Sequence, residues 1–205
     1  PPRVSGQKFE GVLRPFDPAG FHFNKPFLAK EILWEGELAG KPVRLLYNKF
    51  PFARLHGLLA PEPVRELPQC LTPELHGWAW DLCAESGVPG LCLGYNSLGA
   101  GASVNHLHFQ SFVPASPPPM LDDSFAHNGG PRPYPLPCQR FTDPAEAWFE
   151  LDRLHPQNTP YNLVYGNDCL VGGADTVEGF ETAVSWLDKV IVAEIQLHAS
   201  ETSAS

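Results

Sequence analysis

Paired cysteines, long apolar runs and an excess of basic side chains are all missing from this 205-residue sequence. Its five cysteines are odd in number and form no C-x-x-C pair, which argues against a disulfide framework or a zinc knuckle. No stretch reaches the roughly 18 to 20 apolar residues of a membrane-spanning helix. The first residues also lack the charged-then-apolar pattern of a secretion signal. We therefore expect a cytoplasmic protein without a membrane segment.

The shortage of basic residues bears on the choice of partner. Lysine and arginine number 14 against 23 aspartate and glutamate residues, for a formal net charge of -9. A broad nucleic-acid surface needs a basic surplus to displace counterions, so we expect no nucleic-acid partner. Hydrophobic residues make up 43% of the chain, which is enough to bury a core. Small phosphorylated ligands stay compatible with this charge if a locally neutral pocket binds them.

The order of apolar patterns is typical of an α+β fold. Strand-like runs cover residues 32–38, 43–48, 55–60, 91–95, 104–113 and 162–165. The first two runs flank a plausible hairpin turn at Ala39-Gly-Lys-Pro42. Thr72 before Pro73 and Asp143 before Pro144 predict helix starts, and apolar spacing predicts a closing helix over 180–195. We expect an antiparallel sheet flanked by helices.

The segment Asn105-His-Leu-His-Phe-Gln110 carries the strongest chemical signal. Side chains alternate on a strand, so His106, His108 and Gln110 should share one face while Leu107 and Phe109 face the core. A neutral imidazole is a competent nucleophile toward phosphorus. We predict that His108 attacks and that His106 supports it.

A bend of small residues precedes the histidines, from Gly99 through Ala100, Gly101 and Ala102 to Ser103. Its amides can approach a ligand closely and donate to phosphate oxygens without adding charge. Alternating histidines can also ligate zinc or iron, usually with a carboxylate following. Here Gln110-Ser-Phe-Val follows instead, so we predict neither a metal ion nor a cofactor.

A second segment runs from Asn48 through Pro51 to His56, where a strand ends, turns and re-enters the sheet. Taken alone, Asn48 is most often a turn residue and His56 most often a structural hydrogen-bonder. Together, however, the two segments resemble the histidine-triad superfamily, with its N-x-x-P and H-x-L-L stretches followed by H-x-H-x-Q. With Gln110 in the third place, the H-x-H-x-Q pattern resembles that of the transferase branch of the superfamily.

The resemblance is most specific to the GDP-L-galactose and GDP-D-glucose phosphorylase group. It rests on Phe21-His-Phe-Asn-Lys25, on Leu93-Gly-Tyr-Asn-Ser-Leu-Gly99 and on Asn105–Gln110. The aromatic residues without a clean period up to Lys30 predict an N-terminal arm over 1–30, and the proline density of 114–137 predicts a surface connection. The resemblance adds a histidine-triad-like catalytic half over 31–113 and a partial second half over 138–205. After Pro114 the similarity weakens, because the strand expected after 160–165 is missing and 169–173 leads into a helix.

The same resemblance implies a mechanism. His108 would be guanylylated by a GDP-hexose, hexose 1-phosphate would leave, and inorganic phosphate would attack to give GDP. Gln110 would contact the transferred phosphate, Asn48 the ribose, and Ser103 with the amides of 99–101 the phosphates. His56 would brace the site, and it completes the implied substrate-binding set together with Asn96 and Asn105.

Several alternatives stay open at this stage. Asn48-Lys-Phe-Pro51 departs from the Asn-Val-Ser-Pro pattern of the plant and animal enzymes, which leaves the base undecided. An adenylyl- or uridylyltransferase of the same superfamily and a nucleotide-sugar hydrolase are the competing enzymes. A non-enzymatic sheet protein that binds a ligand or a metal is the third alternative. The sequence also leaves self-association open.

Overall fold

Eight strands and two α-helices form most of the regular structure in the computed structural model, which describes residues 10–116, 118–166 and 169–174. The strands are β1 (Ile32–Leu38), β2 (Lys41–Tyr47), β3 (Arg54–Pro61), β4 (Cys92–Asn96), β5 (Phe109–Val113), β6 (Gln139–Phe141), β7 (Tyr161–Gly166) and β8 (Cys169–Ala174). The helices are α1 (Pro73–Glu85) and α2 (Pro144–Leu154), and short 3-10 turns include Pro26–Glu31 and Ala126–Asn128. No helix in the described part of the chain is long and apolar enough to cross a bilayer.

All eight strands belong to one antiparallel sheet with the order β1-β2-β3-β5-β4-β7-β8-β6. The α+β class and the antiparallel sheet predicted from the sequence are thus confirmed. β4 pairs with β7, with Asn96 opposite Asn162, so the strands after residue 138 extend the sheet formed before residue 113. The division into two halves stays a prediction, and one continuous sheet runs through both.

Local sequence signals account for the turn and the helix starts. Ala39 and Gly40 have φ values of 46° and 76°, the left-handed pair that a two-residue hairpin turn requires between β1 and β2. The Thr72 hydroxyl accepts a hydrogen bond from the Leu75 amide, and the Asp143 carboxylate accepts one from the Glu146 amide. Both predicted helix starts are therefore confirmed.

The two faces of the sheet pack against different partners. On one face, α1 and α2 cover a core that includes Trp78, Leu107 and Phe109. On the other face, Phe23 and Leu28 of the N-terminal segment pack on the sheet. The rings of His106 and His108 lie on this second face, where they contact Phe23. The N-terminal segment therefore forms one wall around the histidine motif.

Two expectations about local structure are wrong, and one strand was not predicted. β5 begins at Phe109 and does not extend back to residue 104. Residues 169–174 form strand β8 and do not lead into a helix, because pairing with β7 and β6 outweighs the weak strand propensity of Gly172 and its neighbours. The short strand β6 within 139–141 was not predicted at all. The closing helix predicted over 180–195 lies outside the described residues.

Candidate active site

The histidine motif lies just before β5, on the face of the sheet opposite the helices. His108 Nδ1 donates a hydrogen bond to the backbone carbonyl of His106 at 2.8 Å. This bond places the hydrogen on Nδ1 and leaves the lone pair on Nε2. No described residue hydrogen-bonds to Nε2, and 9% of the residue surface stays accessible. Burial lowers the pKa of His108, which favours the neutral form that a nucleophile requires.

The ring of His106 faces the N-terminal segment and does not contact the ring nitrogens of His108. Its Nδ1 accepts a hydrogen bond from the Phe23 amide at 3.1 Å, and the two rings stack with centroids 5.5 Å apart. Burial, followed by the nearby His22 and His108, lowers the pKa of His106 to about 4. The supporting role of His106 stays a prediction, and the atom in position to fulfil it is the backbone carbonyl.

We expect acid to destabilise the protein through His106. Its folded pKa of about 4 lies below the ordinary 6.5, so the unfolded chain binds the proton more readily. The stabilisation is complete above about pH 6.5, and up to roughly 3 kcal/mol of it is lost as the pH falls toward 4. Denaturant unfolding of the wild type and of His106→Gln across this range measures the effect. Parallel stability curves for the two proteins would contradict it.

Gln110 is held between two side chains on neighbouring strands. The Phe52 amide donates to His56 Nδ1 at 3.1 Å, so the ring carries its hydrogen on Nε2 and donates it to Gln110 Oε1 at 3.0 Å. Gln110 Nε2 in turn donates to Asn96 Oδ1 at 2.8 Å. Burial lowers the pKa of His56 and keeps this ring neutral. The amide of Gln110 is therefore fixed in one orientation, with one N–H left for a ligand.

Asn96 is itself held from two sides. Its Nδ2 donates to the Ala100 carbonyl at 3.0 Å and to Asn162 Oδ1 at 2.7 Å. Each group from the Phe52 amide through His56, Gln110 and Asn96 to Asn162 therefore donates to the next. If Asn96 turned its amide over, it would lose the bonds in this series to both Gln110 and Asn162. In this geometry Asn96 positions Gln110, whereas the sequence assigned it to the substrate.

A bulge in β3 aims His56 at Gln110. The pairing of β3 with β5 shifts between Arg54 and Gly57, and Leu55 has a φ of 53°. An extra residue in one strand re-aims the side chains beside it. Asn48 directly follows β2, and its Oδ1 accepts a hydrogen bond from the Phe50 amide. Its Nδ2 lies 2.9 Å from His56 Nε2, but both groups carry hydrogens in this tautomer, so that contact is not a hydrogen bond. The loop between Asn48 and His56 is thus closed on itself next to Gln110.

The small-residue bend supplies fewer amides than the sequence suggested. Gly99 and Gly101 have φ values of 84° and 98°, which explains why glycine is needed at both positions. The amides of Ala100 and Ala102 donate to the Ser97 carbonyl at 3.1 and 3.3 Å. Within the described residues, the amides of Gly99, Gly101 and Ser103 have no such partner. Ala100 therefore serves the turn, and the other three amides are available to a ligand.

Asn105 is used by the protein itself. Its Nδ2 donates to the carbonyls of Pro15 and Arg14 at 2.7 and 3.3 Å, and its Oδ1 accepts from the Gln69 amide at 2.9 Å. These bonds engage the Asn105 amide nitrogen and oxygen within the protein, and the substrate contact expected for Asn105 stays a prediction. Asn105 ties the N-terminal segment to the chain beside His108.

Sequence reasoning missed two residues of this region. Asn162 accepts the hydrogen bond of Asn96, and Gln69 hydrogen-bonds to the backbone of His108. Asn162 follows Pro160-Tyr161, a stretch that already resembled a strand, and could have been found from that pattern. Gln69 lies in a loop without any motif. No group of three His, Cys, Asp or Glu side chains suited to a metal ion occurs among the residues that the structure describes.

Comparison with known families identifies the domain. A family model described as "GDPGP1-like, N-terminal domain" matches residues 2–112, which is more than half of the 205 residues. The chain belongs to this family. The GDPGP1-like match includes His108, Gln110, His56 and Asn96, whereas Asn162 lies beyond it.

Two curated relatives illustrate the similarity. GDP-D-glucose phosphorylase 1 of Homo sapiens is 37% identical over 114 residues, which is 52% of this chain and 29% of that enzyme. GDP-L-galactose phosphorylase 1 of Arabidopsis thaliana is 33% identical over 130 residues, which is 55% of this chain and 29% of that enzyme. This GDPGP1-like chain thus matches less than a third of the length of these relatives. The structure of yeast Ap4A phosphorylase Apa2 with AMP superposes with a TM-score of 0.48 and 19% identity, over 65% of this chain and 56% of that one.

Proposed function

We propose that this chain carries the nucleotidyl-transfer site of a GDP-hexose phosphorylase. The observation that supports it most directly is the His108 imidazole, whose Nδ1–H is held by a backbone carbonyl at 2.8 Å while Nε2 has no partner among the described residues. Its relatives named GDP-D-glucose phosphorylase and GDP-L-galactose phosphorylase support a GDP-hexose as the substrate.

The first step is an in-line displacement at the α-phosphorus of the GDP-hexose. A bond forms between His108 Nε2 and phosphorus, and the bond from phosphorus to the bridging oxygen breaks. Hexose 1-phosphate leaves with the electron pair of that bond. A sugar phosphate is a weak base and needs little protonation, so an amide at position 110 can stand where an acid would otherwise be needed. The product on the enzyme is a guanylyl-histidine.

The second step regenerates the free His108. An oxygen of inorganic phosphate attacks the guanylyl phosphorus, the P–N bond breaks and GDP is released. Throughout both steps, the free N–H of Gln110 and the amides of Gly99, Gly101 and Ser103 donate to phosphoryl oxygens. Fixed neutral donors of this kind stabilise developing charge without reorganisation.

Incubation with GDP-glucose and GDP-galactose, each with and without phosphate, tests the proposal. We expect GDP, and more than one equivalent of hexose 1-phosphate per protein, only when phosphate is present. Without phosphate, the intact protein should gain the mass of a guanylyl group in an acid-labile, base-stable linkage. Phosphate-independent GMP would indicate a hydrolase, and turnover of ADP- or UDP-sugars alone would indicate another nucleotidyltransferase. No adduct and no product with any of them would overturn the proposal.

The rate of guanylylation should be insensitive to pH down to values below the pKa of an ordinary histidine. The reaction needs a neutral His108, and burial lowers the pKa of that ring. Protonation therefore stops the reaction only below about 6.5, the usual histidine value. Single turnovers in the absence of phosphate measure this directly, because the ionisation of phosphate then plays no part. An acid limb at or above about 6.5 would contradict the assignment of His108.

We also place the protein in the cytoplasm. Cys70 and Cys138 stand as free thiols, which suits a reducing compartment. Subcellular fractionation of the full-length protein tests this, and recovery in an oxidising compartment would contradict it.

A further inference from the structure

The antiparallel ladder between β4 and β5 stops at Gln110, two residues short of His108. Paired residues are Cys92 with Phe112, Leu93 with Ser111 and Gly94 with Gln110. The same register would place Asn96 opposite His108, where the two backbones would exchange hydrogen bonds. That pair is not formed, and β5 begins only at Phe109.

The side-chain amide of Gln69 occupies the place of those missing bonds. Gln69 Oε1 accepts the His108 amide hydrogen at 2.9 Å, and Gln69 Nε2 donates to the carbonyls of His108 at 3.1 Å and Asn96 at 2.8 Å. The side chain thus acts as a peptide group inserted between the two strands. Its own position is secured, since Gln69 is 1% exposed and its backbone amide and carbonyl bond to Asn105 Oδ1 and the Tyr95 hydroxyl.

The insertion determines the conformation of the nucleophile's backbone. In a regular strand, the carbonyl of one residue and the side chain two residues later do not meet. Here His108 lies just before the start of β5 and is not in strand conformation, and its Nδ1 reaches the His106 carbonyl. Gln69 hydrogen-bonds to both the backbone amide and the backbone carbonyl of His108 in this non-strand conformation, so neither group is left buried without a partner.

We propose that Gln69 is a positioning residue, which holds the backbone of His108 between β4 and β5 so that the His106 carbonyl fixes the reactive tautomer. This inference deepens the proposed function and rests on it for its effect on rate. The tautomer itself can be measured whether or not the protein turns over a GDP-hexose.

Two substitutions separate the hydrogen bonds from the volume of the side chain. Gln69→Glu keeps the acceptor for the His108 amide but places a second carboxylate oxygen against the carbonyls of His108 and Asn96. Gln69→Leu has a similar size and makes none of the three bonds. Tyr165→Phe is the matched control, because it removes a buried hydroxyl that bonds to His76 Nδ1 at 2.9 Å in the core beneath the helices, on the face of the sheet opposite His108.

The readouts are the imidazole 15N shifts of His108, which report its tautomer, and the single-turnover rate of guanylylation. For Gln69→Glu at about pH 8 we expect a mixture of tautomers and a rate about 10- to 100-fold lower, with affinity for GDP-hexose nearly unchanged, as for a misplaced reacting group. The rate should partly recover toward about pH 6, because a protonated glutamate regains one donor. Tyr165→Phe should lose stability but keep the tautomer and the rate.

The outcomes distinguish this inference from the proposed function. A folded Gln69→Glu or Gln69→Leu protein with the wild-type tautomer would overturn the inference. An equal loss of rate in Tyr165→Phe would also overturn it, because a general loss of stability would then be enough to explain the slower reaction. If the wild type forms no adduct but its His108 tautomer depends on Gln69, the proposed function fails while the positioning role stands.

Discussion

Replacing His108 with alanine should abolish guanylyl transfer while the protein stays folded. Loss of a nucleophile typically costs about 10⁴- to 10⁶-fold in rate. The ring contributes little to the stability of the fold. Its hydrogen bond goes to the carbonyl of His106, two residues earlier, and it contacts the Phe23 ring edge-on with centroids 5.1 Å apart. The measurement is phosphate-dependent formation of GDP from GDP-hexose, together with the unfolding midpoint, which should stay within about 5 °C of the wild type.

His127→Ala is a suitable control for this experiment. His127 is also partly buried and also bonds from its ring to a backbone carbonyl, that of Met120 at 2.7 Å. It lies in the proline-rich connection and should keep full activity. In His108→Ala, the acid-labile adduct should be absent as well. An adduct that persists in this variant would place the nucleophile at another residue.

Local patterns were enough to predict strands β1 to β4 and both helix starts. β1 was predicted with its observed ends, and β2, β3 and β4 to within two residues, because alternation and turn residues are local signals. β8 was missed because residues 169–173 were expected to lead into a helix, whereas their strand conformation comes from pairing with β6 and β7. Pairing partners far along the chain leave no mark on a single sequence.

The same distinction applies to the site. Alternation correctly placed Leu107 and Phe109 in the core, and therefore placed His106 and His108 on the opposite face. It did not predict where β5 begins, because the break depends on Gln69, which lies 39 residues before His108 in a loop without a motif. Nor did it predict that Asn105 and Asn96 bond to the protein, since their partners come from the N-terminal segment and from β7.

Replacing Gln110 with glutamate should be the next most damaging change to activity. One carboxylate oxygen can still accept the hydrogen bond from His56 Nε2, which lies 3.0 Å from the present Oε1. The other oxygen would face Asn96 Oδ1, now 2.8 Å from Gln110 Nε2. Asn96 cannot relieve the repulsion by turning, because its Nδ2 is bonded to Ala100 and Asn162. The variant also loses the one N–H that is free to meet a phosphoryl oxygen.

Loss of such a donor from a preorganised site costs about 10²- to 10³-fold in rate, and a negative charge beside the phosphates should place the effect at the upper end. The single-turnover rate of guanylylation measures it. Ser111→Ala is the matched control, because Ser111 is the next residue of β5, faces away from His56 and makes only a 3.4 Å bond to the Gly57 carbonyl.

The pH dependence of the Gln110→Glu variant provides a second check on the same geometry. The introduced carboxyl would lie beside Asn96 Oδ1, an acceptor that favours the protonated form, so it should take up a proton more readily than an ordinary glutamate. Part of the activity should therefore return as the pH falls. A Gln110→Glu protein as fast as the wild type would mean that no phosphoryl oxygen reaches this position, and the stabilising donors would then be the amides of Gly99, Gly101 and Ser103 alone.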